Sequence, residues 1–130
     1  LDGKVLYVAN QDSETISIID TDTRRIIDTI HGIGGRPIRI SITPDQRSIL
    51  VSHFDTKEVS ILDVTTNEVL ATLQVGPRPI MIAFHPSENL AYVSNLGANY
   101  ISIIDLDELI VVGTIELGSG PDGIAISSLN

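Results

Sequence analysis

Arg36 and Arg78 stand 42 residues apart, each immediately before a proline, and Arg39 lies three residues beyond the first. Guanidinium groups present rigid forks of donors that match carboxylate and phosphate oxygens, so a converging set of them is a candidate site for an anionic ligand. The alternative is that each pairs with a nearby carboxylate or with solvent. Asn10, His53 and Asn95 recur at spacings of 43 and 42. They read either as polar ligands, with His53 able to face a haem, or as residues that cap the turn that follows them. Asp20, Asp63 and Asp105 keep the same spacings. A reaction needs one asymmetric site, so a carboxylate repeated in every unit reads as a turn residue whose oxygens accept from the backbone beyond it. The stretches "DTD" at Asp20 and "DLD" at Asp105 supply too few oxygens at the required spacing for calcium. His31 and His85 fall at non-equivalent places, and no metal site is assigned. No catalytic residue and no cofactor are assigned either.

The elements that must position these residues are repeats. The prolines Pro37, Pro79 and Pro121 are spaced by 42 and 42, and "TISIID" at Thr15 returns as "EVSILD" at Glu58 and "YISIID" at Tyr100. A period of this length marks solenoids and propellers. Within a unit, short β-branched runs of period two or continuous apolar character alternate with turn residues, which predicts strands and not helices. The unit after Pro79 reads as strands at Ile80–Phe84, Leu90–Ser94, Ile101–Ile104 and Ile110–Ile115. Four antiparallel strands joined by short turns form a meander. Residues 1–33 then hold the last three strands of one unit, 36–75 and 78–117 are whole units, and 120–130 is the first strand of a further one, all within a single repeat domain.

The strands "LYVAN" ending at Asn10 and "LAYVSN" ending at Asn95 resemble the Tyr-Val-Thr-Asn (YVTN) β-propeller repeat; the middle copy, "LVSH", departs from it. The resemblance implies an all-β fold of propeller blades, and relatives that include surface-layer and other extracytoplasmic proteins, haem- or quinone-type redox propellers and lactonase-like proteins. Rings close with about four to eight blades, so three cannot close alone. The first expectation is a six-bladed ring made by two copies related by a two-fold axis, each first strand at 120–130 entering the partner's incomplete blade. The alternative is a piece of a longer single-chain propeller. The main functional expectation is a non-enzymatic scaffold for a protein, glycan or small anionic partner, of surface-layer or cell-surface type. A redox or lactonase-like propeller, and an isolated or engineered repeat fragment without its own activity, are the alternatives.

Composition bounds these readings. The formal charge is −9 with only eight Lys and Arg, so counterion-driven binding to nucleic acid is disfavoured. The absence of cysteine removes disulfides and thiolate chemistry without fixing a compartment. No apolar run approaches the roughly 20 residues of a membrane-spanning helix. The chain begins at Leu1 without a methionine or a signal-peptide pattern, and the native N-terminus is expected to lie elsewhere. No nucleophile elbow, phosphate loop, dinucleotide fingerprint or haem-attachment motif is present.

Overall fold

A computed structural model describes residues 2–127. It contains β1 (Val5–Asn10), β2 (Thr15–Asp20), β3 (Arg25–Ile30), β4 (Pro37–Ile42), β5 (Ser48–His53), β6 (Glu58–Asp63), β7 (Val69–Gln74), β8 (Pro79–Phe84), β9 (Leu90–Asn95), β10 (Tyr100–Asp105) and β11 (Ile110–Glu116). These form three antiparallel sheets in chain order, β1-β2-β3, β4-β5-β6-β7 and β8-β9-β10-β11. The two four-stranded units begin with Pro37 and Pro79, at the first residue of an inner strand, where the missing N–H costs the ladder least.

The turns follow from the repeated aspartates. Asp63 Oδ1 accepts from the backbone N–H groups of Thr65 at 2.7 Å and Thr66 at 2.9 Å, and Asp105 Oδ1 accepts from Asp107 and Glu108, both at 2.9 Å. Asp20 accepts from both the backbone and the hydroxyl of Thr23. These donors hold the carboxyls of Asp20 and Asp63 below the usual carboxylate range. Each turn ends on a residue with positive φ, namely Arg24, Asn67 and Leu109. Register then slips at equivalent places, between Ile18 and Ile19, between Ile61 and Leu62, and between Ile103 and Ile104. One residue of each outer strand bulges out there, which bends that strand and strengthens its twist.

Packing is face to face between successive sheets. Ile16 of the first sheet meets Ile49, Val51 and Leu62 of the second, with Tyr7, Ile33 and Ile40 around them. Leu50, Val59 and Ile61 of the second meet Ile82, Ala91, Val93 and Ile104 of the third. The middle sheet is therefore covered on both sides, and β5 and β6 are buried almost end to end. Each fully buried aliphatic side chain contributes about 1.5 to 3 kcal/mol, so the middle sheet anchors the stack.

The first and last sheets of the stack differ in what lies beside them. In the first sheet β1 pairs only with β2, and Val5, Leu6 and Val8 are 45%, 50% and 36% exposed. At the other end Ser94 Oγ donates to Asp122 O at 2.7 Å, which repeats the bond of Ser52 Oγ to Ile80 O at 3.4 Å one unit earlier. Ile124 lies beside Tyr92 and Ile101, the columns where Ile82 meets Leu50 and Val59. Residues 121–127 thus follow the course of an inner strand. They are not paired as one, because the strand they would join is not among their neighbours. The expected closing strand extends over 128–130, outside the described residues.

Candidate functional site

The loops that follow β1, β5 and β9 share one face with the links between units. Asn10, His53 and Asn95 end those three strands, and the structure commits each of them to internal bonds. Asn95 is fully buried. Its Oδ1 accepts from Gly76 N at 3.1 Å, while its Nδ2 donates to Tyr100 O at 3.1 Å and Ser102 Oγ at 3.0 Å. His53, 1% exposed, spans the same gap with a different ring of atoms. Its Nδ1 lies 2.9 Å from Gly34 O, which can only accept, so Nδ1 carries the proton and Nε2 accepts from Ser60 Oγ at 2.7 Å. Asn10 Nδ2 donates to Thr15 Oγ1 and Ser17 Oγ.

Those bonds correct the ligand-facing reading of His53 and Asn95. Their polar atoms tie a link between units to the neighbouring strand, and both side chains are buried. The link backbone closes directly on them: a Cβ added at Gly35 would stand 2.8 Å from His53 Cβ, and one at Gly76 would stand 2.5 Å from Asn95 Cγ. Burial pushes the His53 imidazole below its ordinary value, against weaker opposing effects of the Gly34 carbonyl, Glu58 and Glu14. His85 is likewise occupied, its Nδ1 accepting from the backbone of Ser87 and Glu88.

Arg36 and Arg78 have a different fate. Both have positive φ, 55° and 53°, a conformation that costs an L-residue and suits glycine. The turn is fixed by backbone bonds, Phe54 N to Arg36 O at 3.1 Å and Leu96 N to Arg78 O at 2.9 Å. The side chains converge on one aromatic ring. The guanidinium carbons of Arg36 and Arg78 lie 5.5 and 5.8 Å from the centroid of Phe54. Arg36 also stands 3.7 Å from Asp55 Oδ1, an exposed ion pair. Among the described residues Arg78 has no ion pair. Beside it is an open cleft of about 350 Å3 lined by Phe54, Asp55, Thr56, Lys57, Pro77 and Arg78.

Arg39 does not join them. It projects from β4, where Nε donates to Met81 Sδ at 3.4 Å and Nη1 to its neighbour's carbonyl, Ile38 O, at 3.1 Å. Of the three candidate arginines, Arg36 and Arg78 meet on Phe54, and Arg39 is separately placed on the inner strand. Phe54 carried no repeat signal, since Gln11 and Leu96 hold its position in the other units. Only the spacing of the arginines around it pointed to this corner.

Stacked four-stranded antiparallel meanders, each beginning with an inner strand and packed face to face, are β-propeller blades, and the chain has that fold. Comparison with known proteins agrees. Over 76 residues the chain is 32% identical to the seven-bladed beta-propeller protein Rv1057 of Mycobacterium tuberculosis, a match covering 55% of this chain and 19% of that protein. A chain of Kuenenia stuttgartiensis hydrazine synthase superposes with a TM-score of 0.86 at 26% identity, over 92% of this chain and 35% of its own length. The chain thus spans about a fifth and about a third of the lengths of these two proteins. No family model matches the chain.

Proposed function

We propose that the chain is a non-enzymatic scaffold built from propeller blades of the Tyr-Val-Thr-Asn repeat type, which works by assembling into a ring and presenting its linker face to a protein, glycan or small anionic partner. The observation that carries this is the complementarity of the two ends. β1 offers an open edge with Val5, Leu6 and Val8 uncovered, and residues 121–127 hold the course of an inner strand without pairing as one. Open edges of this kind invite strand addition. A second copy supplies the missing strand to each incomplete blade, giving a six-bladed ring with two-fold symmetry. The test is the absolute mass in solution by light scattering across a tenfold range of concentration. A stable mass of two chains is expected; a stable monomer overturns self-assembly and leaves the edge to another part of a longer protein.

A second reading, a segment of a redox propeller with a haem or quinone, is favoured by the likeness to hydrazine synthase over most of the chain. The visible absorption spectrum of the purified protein separates the two. A bound chromophore establishes the redox reading, and a colourless protein that also fails to take up added haem or quinone removes it.

A further inference from the structure

We infer that the corner formed by Arg36, Phe54 and Arg78 is a binding site for a single oxyanion group, a carboxylate or a phosphate. The site names the anionic partner of the scaffold reading, on which it rests, yet it does not depend on ring closure, because all three residues belong to one chain and to the joint between its two four-stranded blades. Three observations converge on it.

The first is conformational. Positive φ at a non-glycine residue costs roughly 1 to 2 kcal/mol, and glycine removes most of that cost. Arg36 and Arg78 both take this cost at equivalent positions, while Gly120 stands there in the following unit. Positive φ also occurs at Glu14, Arg24, Gln46, Asn67 and Leu109, so it is the return of arginine at this one column, more than the strain, that points to a use for the side chain. That use is not in the turn itself, since its bonds come from the backbone carbonyls of Arg36 and Arg78.

The second is placement. Both guanidinium groups lie within cation–π range of the same Phe54 ring, a contact worth about 0.5 to 1 kcal/mol at a partly exposed site. A contact at these distances uses none of the guanidinium N–H donors as hydrogen bonds, so they can still fork onto an oxyanion. The side chain of Arg78 makes no hydrogen bond or ion pair among the described residues, and it borders the cleft. Thr56 in the same wall has a buried hydroxyl without a partner, so the loop's own hydrogen bonding is incomplete.

The third is charge. The whole chain carries −9, which repels anions at long range. Screening cuts such effects off beyond about 8 Å at physiological ionic strength, so the near groups decide. The charged residues at the cleft and its edge are Arg36, Arg78 and Lys57 with Asp55, while Glu58 and Glu14 act on the adjacent His53. A bound oxyanion competes with Asp55 for Arg36 and meets no such competitor at Arg78.

The experiment titrates the isotope-labelled full chain with inorganic phosphate and, separately, with succinate, following the arginine Nε–H resonances by NMR. Resonances of Arg36 and Arg78 are expected to shift in a saturable manner while that of Arg39 stays in place; the probe that acts at lower concentration identifies phosphate or carboxylate as the preferred group. The informative variant is Arg36→Gly with Arg78→Gly, which suits the backbone at both turns and so keeps the fold. It is expected to weaken binding at least about tenfold while leaving thermal stability equal or higher. Arg78→Lys, which keeps charge but loses the fork, is expected to fall between. Absence of any shift at Arg36 and Arg78 with both probes overturns the site, as does undiminished binding by the double glycine variant. A marked loss of stability in that variant also overturns it, by assigning the arginines to the fold.

Discussion

His53 and Asn95 solve one structural problem with two side chains. Each joins the link between units to a serine seven residues further on, Ser60 or Ser102, from a fully covered position. The histidine brings a titration that the asparagine lacks. Because burial lowers its pKa in the folded state, the unfolded chain binds a proton first as the pH falls. Its contribution is therefore complete above about pH 6.5 and is lost progressively below that value. His53→Asn should keep the bridge and flatten this part of the pH dependence, seen as a thermal midpoint that falls less than the parent's between about pH 7 and pH 5. His53→Ala should cost about 2 to 4 kcal/mol at neutral pH, since it leaves a cavity and strips the Gly34 carbonyl and Ser60 hydroxyl of their partner. If the Asn variant retained the full acid slope, the titrating group would be elsewhere. The column itself was legible from its recurrence. Its burial was not, because the glycine links that cover it lie 19 residues before it in sequence, beyond the reach of any local pattern. Nor could Phe54 be foreseen, since Arg78 reaches it from the next unit.

At the scale of elements, strand order and turn positions could be read directly, because β-branched runs recur in every copy and an aspartate ends β2, β6 and β10 alike. The bulges were hidden: they remove one residue from pairing without changing the apolar pattern. The same limit applies to glycine, whose reason for being small is spatial. Gly76→Ala would drive a methyl group into Asn95 and should destabilise by about 1 to 3 kcal/mol. Gly113, in β11, has nothing within 4 Å of such a methyl, and Gly113→Ala should be neutral or slightly stabilising. Chemical denaturation of the two variants side by side checks the contrast. Arg24 tests the turns. It holds positive φ, 57°, in the column where Asn67 sits naturally. Arg24→Asn should raise stability by about 0.5 to 1 kcal/mol, and a loss would mean that the Arg24 side chain makes a contribution larger than its backbone strain.

For the whole molecule, the proposed two-fold ring carries a register prediction, taken from the pairing inside the four-stranded sheets. Phe84 faces Ala91 and Ala83 faces Tyr92 across β8 and β9. Moved by one unit and applied to the first sheet, that register sets Ile126 of one chain against Leu6 of another, and Ala125 against Tyr7. The protein has no cysteine, so introduced pairs report cleanly. Leu6→Cys with Ile126→Cys, and Tyr7→Cys with Ala125→Cys, sample both the hydrogen-bonded and the non-hydrogen-bonded positions of an antiparallel pair. At least one should oxidise to a covalent dimer, because directly opposed Cβ atoms approach to about 4.5 to 5.5 Å, near the reach of a disulfide. Leu6→Cys with Ile124→Cys is out of register and should run as two chains of unlinked mass even after mild oxidation. Equal linking by all three pairs would indicate random collision, and linking within a single chain would mean that the ends meet intramolecularly. A dimer formed only by the in-register pairs would fix both the partner and the strand it donates, which mass alone does not do.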